Sequence, residues 1–149
     1  GEITWGYPGE NKDFISGLII GLEDYLGAGI DYLSLYALLK NAGRDRSLFA
    51  DLVPFLREKL KTHPRRPRYS HLLGMAYIEL GKPELAEKYY RRAVELDPDF
   101  AAAHLSLGQL YAQKKDYDRA RFHLEEVLVL APDSPVVPTV RRLLDKLPE

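Results

Sequence analysis

Residues 71–98 read HLLGMAYIELGKPELAEKYYRRAVELDP, and residues 105–132 read LSLGQLYAQKKDYDRARFHLEEVLVLAP. The second stretch repeats key residues of the first at an interval of 34 positions. The matched positions are Leu73 and Leu107, Gly74 and Gly108, Tyr77 and Tyr111, Ala86 and Ala120, and Pro98 and Pro132, with Pro64 one interval earlier. A fixed period of this length is typical of a helical solenoid, in which each repeat packs only on its neighbours.

Each block predicts two helices joined by a turn. Gly81 predicts the end of the first helix, and Pro83 suits the first turn of the second, where its missing N–H costs nothing. Asp97-Pro98 ends that second helix. The next block repeats the plan, with a turn at Asp116-Tyr117 and an end at Ala131-Pro132.

These blocks resemble tetratricopeptide repeats. The family pattern has a Leu-Gly pair, a Tyr three residues later, an Ala early in the second helix, a large residue after it and a closing Pro. The matching residues are Leu73, Gly74, Tyr77, Ala86, Tyr90, Ala93 and Pro98, then Leu107, Gly108, Tyr111, Ala120, Leu124 and Pro132. Ser70 and His104 stand where the family often has Trp. The resemblance implies an all-α, right-handed superhelical array of antiparallel helix pairs, a solenoid with a C-terminal capping helix.

The flanks extend this array into one domain over residues 11–149, after an N-terminal extension at 1–10. The predicted units are an N-terminal helix (11–30), a degenerate repeat (31–66), two repeats (67–100 and 101–134) and a capping helix (135–149) that starts near Ser134 and Pro135. Lys40 and Gly43 depart from the pattern in the degenerate repeat. Pro54 lies inside its predicted second helix, at a cost of roughly 3 kcal/mol unless the helix kinks or starts there. We expect the array to end at the amphipathic cap, since the last repeat would otherwise expose an apolar face.

Composition narrows the class of protein. The 149 residues have a formal net charge of −1, which gives no overall basicity for nucleic acid. The absence of cysteine rules out disulfides and thiolate chemistry but leaves the compartment open, with the cytoplasm preferred over the periplasm. Apolar runs are too short to span a bilayer, so no membrane span is predicted in this chain. The chain starts with Gly1 rather than Met, so a targeting segment upstream stays possible.

No residue pattern points to catalysis. The four histidines include no pair spaced i, i+4 on one helix face, and no metal site or cofactor is predicted. Gly27-Ala28-Gly29 lacks the strand context of a phosphate loop, and no nucleophile elbow occurs. We therefore expect a non-catalytic protein that binds a protein or peptide partner.

The resemblance also implies where that partner binds, because first helices line the inner wall in this family. The implied wall has an apolar centre at Met75, Ile78 and Leu105 and polar groups around it that set register. The candidate binding residues are Asn41, Arg44, Arg68, His71, Met75, Ile78, Glu79, Leu105, Gln109, Ala112 and Gln113. Well-known family members hold chaperone C-terminal carboxylates in a clamp of Lys, Asn and Arg, and of that clamp only Asn41 matches here. A mixed wall better suits an amphipathic helix or an extended segment.

Three alternatives stay open for this surface and its role. Part of the N-terminal segment could fill the groove itself, N-terminal helix faces could form a homo-oligomer, or the chain could be the adaptor portion of a larger membrane-associated or secretion complex.

One charge feature is also open to two interpretations. The basic run Arg57, Lys59, Lys61, Arg65, Arg66 and Arg68 is either a solvated helix end or a docking site for an acidic partner or phosphate groups.

Overall fold

A computed structural model of the protein describes residues 47–149, with side chains from residue 49 onward. All six described elements are helices, namely α1 (Ser47–Thr62), α2 (Pro67–Glu79), α3 (Pro83–Leu96), α4 (Ala101–Gln113), α5 (Tyr117–Leu130) and α6 (Val137–Lys146). Each helix packs on the next in chain order, most extensively within the pairs α2/α3 and α4/α5. This arrangement confirms the predicted all-α array of helix pairs.

The N-terminal third of the chain lies outside the described residues. The predicted extension, the N-terminal helix at 11–30 and the first part of the degenerate repeat are therefore not part of this description. The second helix predicted for that repeat corresponds in position to α1, which begins at Ser47 and continues through Pro54. Phe49 and Leu52 before the proline, and Leu56 after it, are buried, and this burial offsets the helical hydrogen bond that Pro54 cannot donate.

Two glycines allow the helices of each pair to approach closely. A Cβ atom at Gly74 would lie 2.5 Å from ring carbons of Tyr90, and one at Gly108 would lie 2.7 Å from the Leu124 side chain. Real Cβ atoms do not approach other atoms so closely, so each contact requires glycine opposite a large residue. The Gly and the large residue that recur in the sequence pattern therefore contact each other in each helix pair.

The turns inside the pairs share one backbone geometry. Gly81 after α2 has φ +73°, and Lys115, one interval later, has φ +64°. Proline begins α3 as the sequence predicts. At the start of α5, the Asp116 side chain accepts a hydrogen bond from the Arg119 N–H at 3.4 Å, which caps the helix.

The C-terminal helix begins slightly later than Ser134 and Pro135 predict. Residues 134–136 form a turn in which the Val136 N–H donates to Ser134 Oγ at 3.3 Å, and α6 follows from Val137. Val140 is fully buried against Leu124 and Val127 of α5, and Leu143, Leu144 and Leu147 pack around them. The amphipathic α6 therefore covers the apolar side of α5.

Candidate functional site

A groove runs between the first helices of the two repeats, and we call it the α2–α4 groove. Its volume is about 700 Å³. The lining residues are Met75, Ile78 and Glu79 of α2, Tyr90 of α3, Leu105, Ser106, Gln109, Ala112 and Gln113 of α4, and Leu143 of α6. A volume of this size lies within the range of ordinary ligand sites in proteins.

Most of the binding residues predicted on α2 and α4 meet in this groove. They are Met75, Ile78, Glu79, Leu105, Gln109, Ala112 and Gln113. The reason is the helical period, which places residues three and four apart on one face. The shared faces of α2 and α4 then border the same space.

The structure places the other predicted residues elsewhere. Arg68 lies exposed near the start of α2 and does not line the groove. His71 is completely buried, so its side chain does not reach the groove wall. Asn41 and Arg44 lie outside the described residues.

His71 lies beneath the groove rather than on it. Its ring lies 5.4 Å from that of Tyr90 and 5.3 Å from that of Phe100, between centroids. Its Nε2 lies 2.7 Å from Ser106 Oγ, and Ser106 lines the groove. Burial lowers the pKa of His71 to about 3, so the imidazole is neutral near neutral pH. His71 therefore contacts the groove only indirectly, through its hydrogen bond with the lining residue Ser106.

Three lining residues were absent from the predicted set. Tyr90 comes from a second helix, whereas the resemblance implies a wall lined by first helices. Ser106 hydrogen-bonds Tyr90, while burial is the main cause that raises the Tyr90 pKa. Ser106 lies three residues before Gln109 and seven before Gln113 on α4, a helical spacing that could have identified it. Leu143 reaches the groove only because α6 packs back on the array, and no local pattern predicts that.

The groove combines an apolar centre with a hydrogen-bonding rim. Met75 and Leu105 are 5% and 8% exposed, and Ile78 is half-buried, while Gln109 and Gln113 are exposed. Carboxamides both donate and accept hydrogen bonds, so they can pair with peptide N–H and C=O groups. The site can therefore hold a segment that has apolar side chains on one face and a polar backbone.

A pair of histidines lies outside the groove and joins α4 to α5. His104 Nε2 lies 2.7 Å from the Pro98 carbonyl oxygen; since a carbonyl only accepts, Nε2–H is the donor. The other ring nitrogen of His104, Nδ1, lies 2.9 Å from His123 Nδ1, and accepts a hydrogen bond from it. Burial, and then the neighbouring His104, lower the pKa of His123 to about 4. The hydrogen bond from His104 to the Pro98 carbonyl therefore ties α4 to the connection between α3 and α4.

Within residues 47–149, no group of three or more His, Cys, Asp or Glu side chains is placed to hold a metal ion. None of the six described helices combines the length and the apolar character needed to cross a membrane.

Comparisons with known proteins agree with the repeat pattern. The family model for the tetratricopeptide repeat matches residues 71–135. The uncharacterized protein ycf37 of Pyropia yezoensis is 30% identical over 60 residues, which are 40% of this chain and 34% of that protein. Anaphase-promoting complex subunit 3 of Schizosaccharomyces pombe is 28% identical over 64 residues, 43% of this chain and 10% of that protein. The chain thus spans well under half the length of these relatives.

A solved structure shows the same fold. The TPR domain of Arabidopsis OM64 matches with a TM-score of 0.60, covering 71% of this chain and 88% of that domain at 23% identity. Identity this low shows the fold alone. Residues 71–135 therefore match the tetratricopeptide repeat, and the described part of the chain has the helical-repeat fold seen in the OM64 TPR domain.

Proposed function

We propose that this chain is a non-catalytic scaffold that binds a segment of a protein partner in the α2–α4 groove. The supporting observation is the groove itself, where residues from α2, α3, α4 and α6 surround one space of about 700 Å³. Concave, largely apolar sites with a few polar groups are the usual form of a binding site.

The lining favours a segment that is apolar on one side. Met75, Ile78 and Leu105 would contact its apolar side chains, and Gln109 and Gln113 would hydrogen-bond its backbone or polar side chains. Both an amphipathic helix and an extended strand meet this description. Glu79 is the charged side chain of the groove lining, and would favour a partner with a basic residue at that end.

The comparisons support a protein partner rather than a substrate. One relative is by its name a subunit of a complex, the anaphase-promoting complex of fission yeast. Self-assembly and membership of a larger membrane-associated or secretion complex stay predictions of the sequence. Of these proposals, binding in the groove has the most direct structural support.

A single substitution tests the groove. Met75 and Leu105 are too buried for a charged replacement, because a carboxylate there would destabilise the fold. Ile78 is half-buried, so Ile78→Glu places the charge at the groove surface. Peptides selected by display on the wild-type chain should bind Ile78→Glu about 10-fold or more weakly, since an apolar contact of this size contributes on the order of 1.5 kcal/mol. Fluorescence anisotropy measures the change.

The matched control is Leu85→Glu, the same kind of change at an exposed leucine of α3 that is outside the groove. It should leave peptide affinity unchanged, and circular-dichroism melts should show both variants folded. Equal affinity of the Ile78→Glu variant and the wild type would contradict the proposal, as would selected peptides that bind both variants equally weakly.

A further inference from the structure

A second surface lies where α1 ends and α2 begins, away from the groove. We call it the basic end, and it consists of Arg57, Lys59, Lys61, Arg65, Arg66 and Arg68. All but Lys59 of these residues are exposed. Within residues 57–68, Glu58 is the one acidic residue. This local excess of positive charge contrasts with the formal net charge of −1 for the whole chain.

Some of these cations already have contacts. Lys61 pairs with Glu58 at 3.0 Å, Lys59 lies 5.7 Å from the centroid of the Phe55 ring, and Arg66 lies 5.8 Å from that of Tyr69. Arg57, Arg65 and Arg68 form no ion pair with any residue in the described range. Glu58 is engaged by Lys61, and no carboxylate of the described residues forms an ion pair with these three exposed guanidinium groups.

The fold also brings a further cation to the basic end. Arg92 of α3 donates from Nη2 to the Pro64 carbonyl oxygen at 3.3 Å. The connector itself is held by backbone bonds, from the His63 N–H to the Lys59 carbonyl at 2.8 Å and from the Arg66 N–H to the His63 carbonyl at 3.3 Å. The connector between α1 and α2 therefore has a backbone held by hydrogen bonds, with cations before it, within it and after it in the sequence and Arg92 of α3 bonded to it, which lowers the ordering cost of binding.

We propose that the basic end binds an acidic segment of a partner protein, rich in Asp and Glu. Guanidinium groups bind carboxylates through paired hydrogen bonds. Here the guanidinium groups lie on successive elements, and an extended acidic segment carries its carboxylates at successive positions along the chain in the same way. The contact would be separate from the α2–α4 groove and would act mainly on association rate and orientation.

Other polyanions fit this surface less well. Single-stranded nucleic acid needs aromatic rings that stack on bases, and Tyr69, which follows Arg68 at the edge of the basic end, is buried. A membrane surface usually needs an apolar anchor beside the cations, whereas the exposed large apolar residues of the described chain, Leu85, Phe122 and Val129, all lie outside residues 57–68.

The test uses the full chain and a fluorescein-labelled oligoglutamate peptide. Anisotropy should show binding at about 50 mM NaCl that is lost at about 500 mM, because salt screens exposed charges. Arg65→Glu combined with Arg68→Glu should weaken binding about 10-fold or more, since each exposed pair contributes up to about fivefold and each reversal adds repulsion. The matched control is Arg141→Glu with Arg142→Glu, the same change in net charge at exposed residues of α6, and it should retain most of the affinity.

Each other result counts against the proposal. Equal losses in the two double variants would show attraction by overall charge alone, and absence of binding at low salt would exclude the site. Tighter binding of oligothymidine or of phosphatidylserine vesicles would assign the surface to another polyanion. Residues 1–31 contain six acidic residues and one basic residue, so higher peptide affinity after Glu23→Gln with Asp24→Asn would show that this part of the same chain competes for the surface.

Two further measurements separate this site from other effects. If the Glu variants melt early, Arg65→Gln with Arg68→Gln removes the same charges without repulsion and should still weaken binding. Ile78→Glu, which tests the groove, should leave oligoglutamate binding unchanged. The proposal for the groove and the proposal for the basic end can therefore be rejected independently.

Discussion

At the scale of single residues, Lys115 adopts a backbone conformation that the first repeat assigns to glycine. In the first repeat the Gly81 N–H donates to the Ile78 carbonyl at 3.0 Å and the Lys82 N–H to the Tyr77 carbonyl at 2.9 Å. In the second, Lys115 donates to Ala112 at 3.1 Å and Asp116 to Tyr111 at 2.9 Å. The same bonds hold both turns, so the lysine is kept at positive φ by its neighbours.

We expect Lys115→Gly to stabilise the protein by up to about 1 kcal/mol, because glycine avoids the steric cost of a Cβ atom in the left-handed region. Urea unfolding measures the difference in free energy. Lys115→Ala is the control, since it removes the same charge and keeps the Cβ atom, and it should give no gain. If Lys115→Ala stabilised the protein as much as Lys115→Gly, the cause would be the loss of the lysine charge and not the backbone conformation.

At the scale of helices, the repeat motif acts through the contact of one helix with its partner. The sequence predicted the helix pairs and the small and large residues between them. It did not predict the start of α6, because the hydrogen bonds of the Ser134 turn delay that helix. Nor did it place Tyr90 or Leu143 in the groove, since those positions depend on how α3 and α6 pack on the array.

Gly108→Ala separates helix propensity from helix packing. Helix propensity alone would make the alanine variant more stable than the wild type by about 1 kcal/mol. The new Cβ atom, however, would lie 2.7 Å from the Leu124 side chain. We expect a net loss of about 1–3 kcal/mol, the usual cost of overpacking. Chemical denaturation of the single variant measures it.

A second background identifies the cause. In a chain that already carries Leu124→Ala, the added methyl group has room, so Gly108→Ala should cost less there by about 1 kcal/mol or more. An equal cost in both backgrounds, or a gain in the wild-type background, would rule out the contact as the reason for the glycine.

At the scale of the whole molecule, buried histidines make stability depend on pH. Burial lowers the pKa of His71 to about 3 and, with His104 nearby, that of His123 to about 4. Unfolded histidine has a pKa of about 6.5. The unfolded chain therefore binds more protons than the folded chain below about pH 6.5, and stability falls as the pH falls from there toward about 4.

We expect His71→Gln to flatten this dependence. Between about pH 6 and pH 4.5, one fully depressed histidine contributes up to about 1.4 kcal/mol of unfolding free energy per pH unit. Urea titrations at several pH values compare the slopes, which makes the result independent of any constant loss of stability in the variant. A slope equal to that of the wild type would mean that His71 takes up a proton without unfolding.

The sequence alone determined the repeat and the helix pairs, and the family resemblance implied most of the groove residues on α2 and α4. It could do so because a helical period shows which side chains share a face, and because Gly74 and Gly108 recur with the large residues that they contact. Only the tertiary structure decided which shared faces stay accessible. His71 has the same spacing as its groove neighbours but is buried by Tyr90 and Phe100, while Tyr90, Ser106 and Leu143 enter the groove. Burial depends on the packing of neighbouring helices, which no single helix encodes.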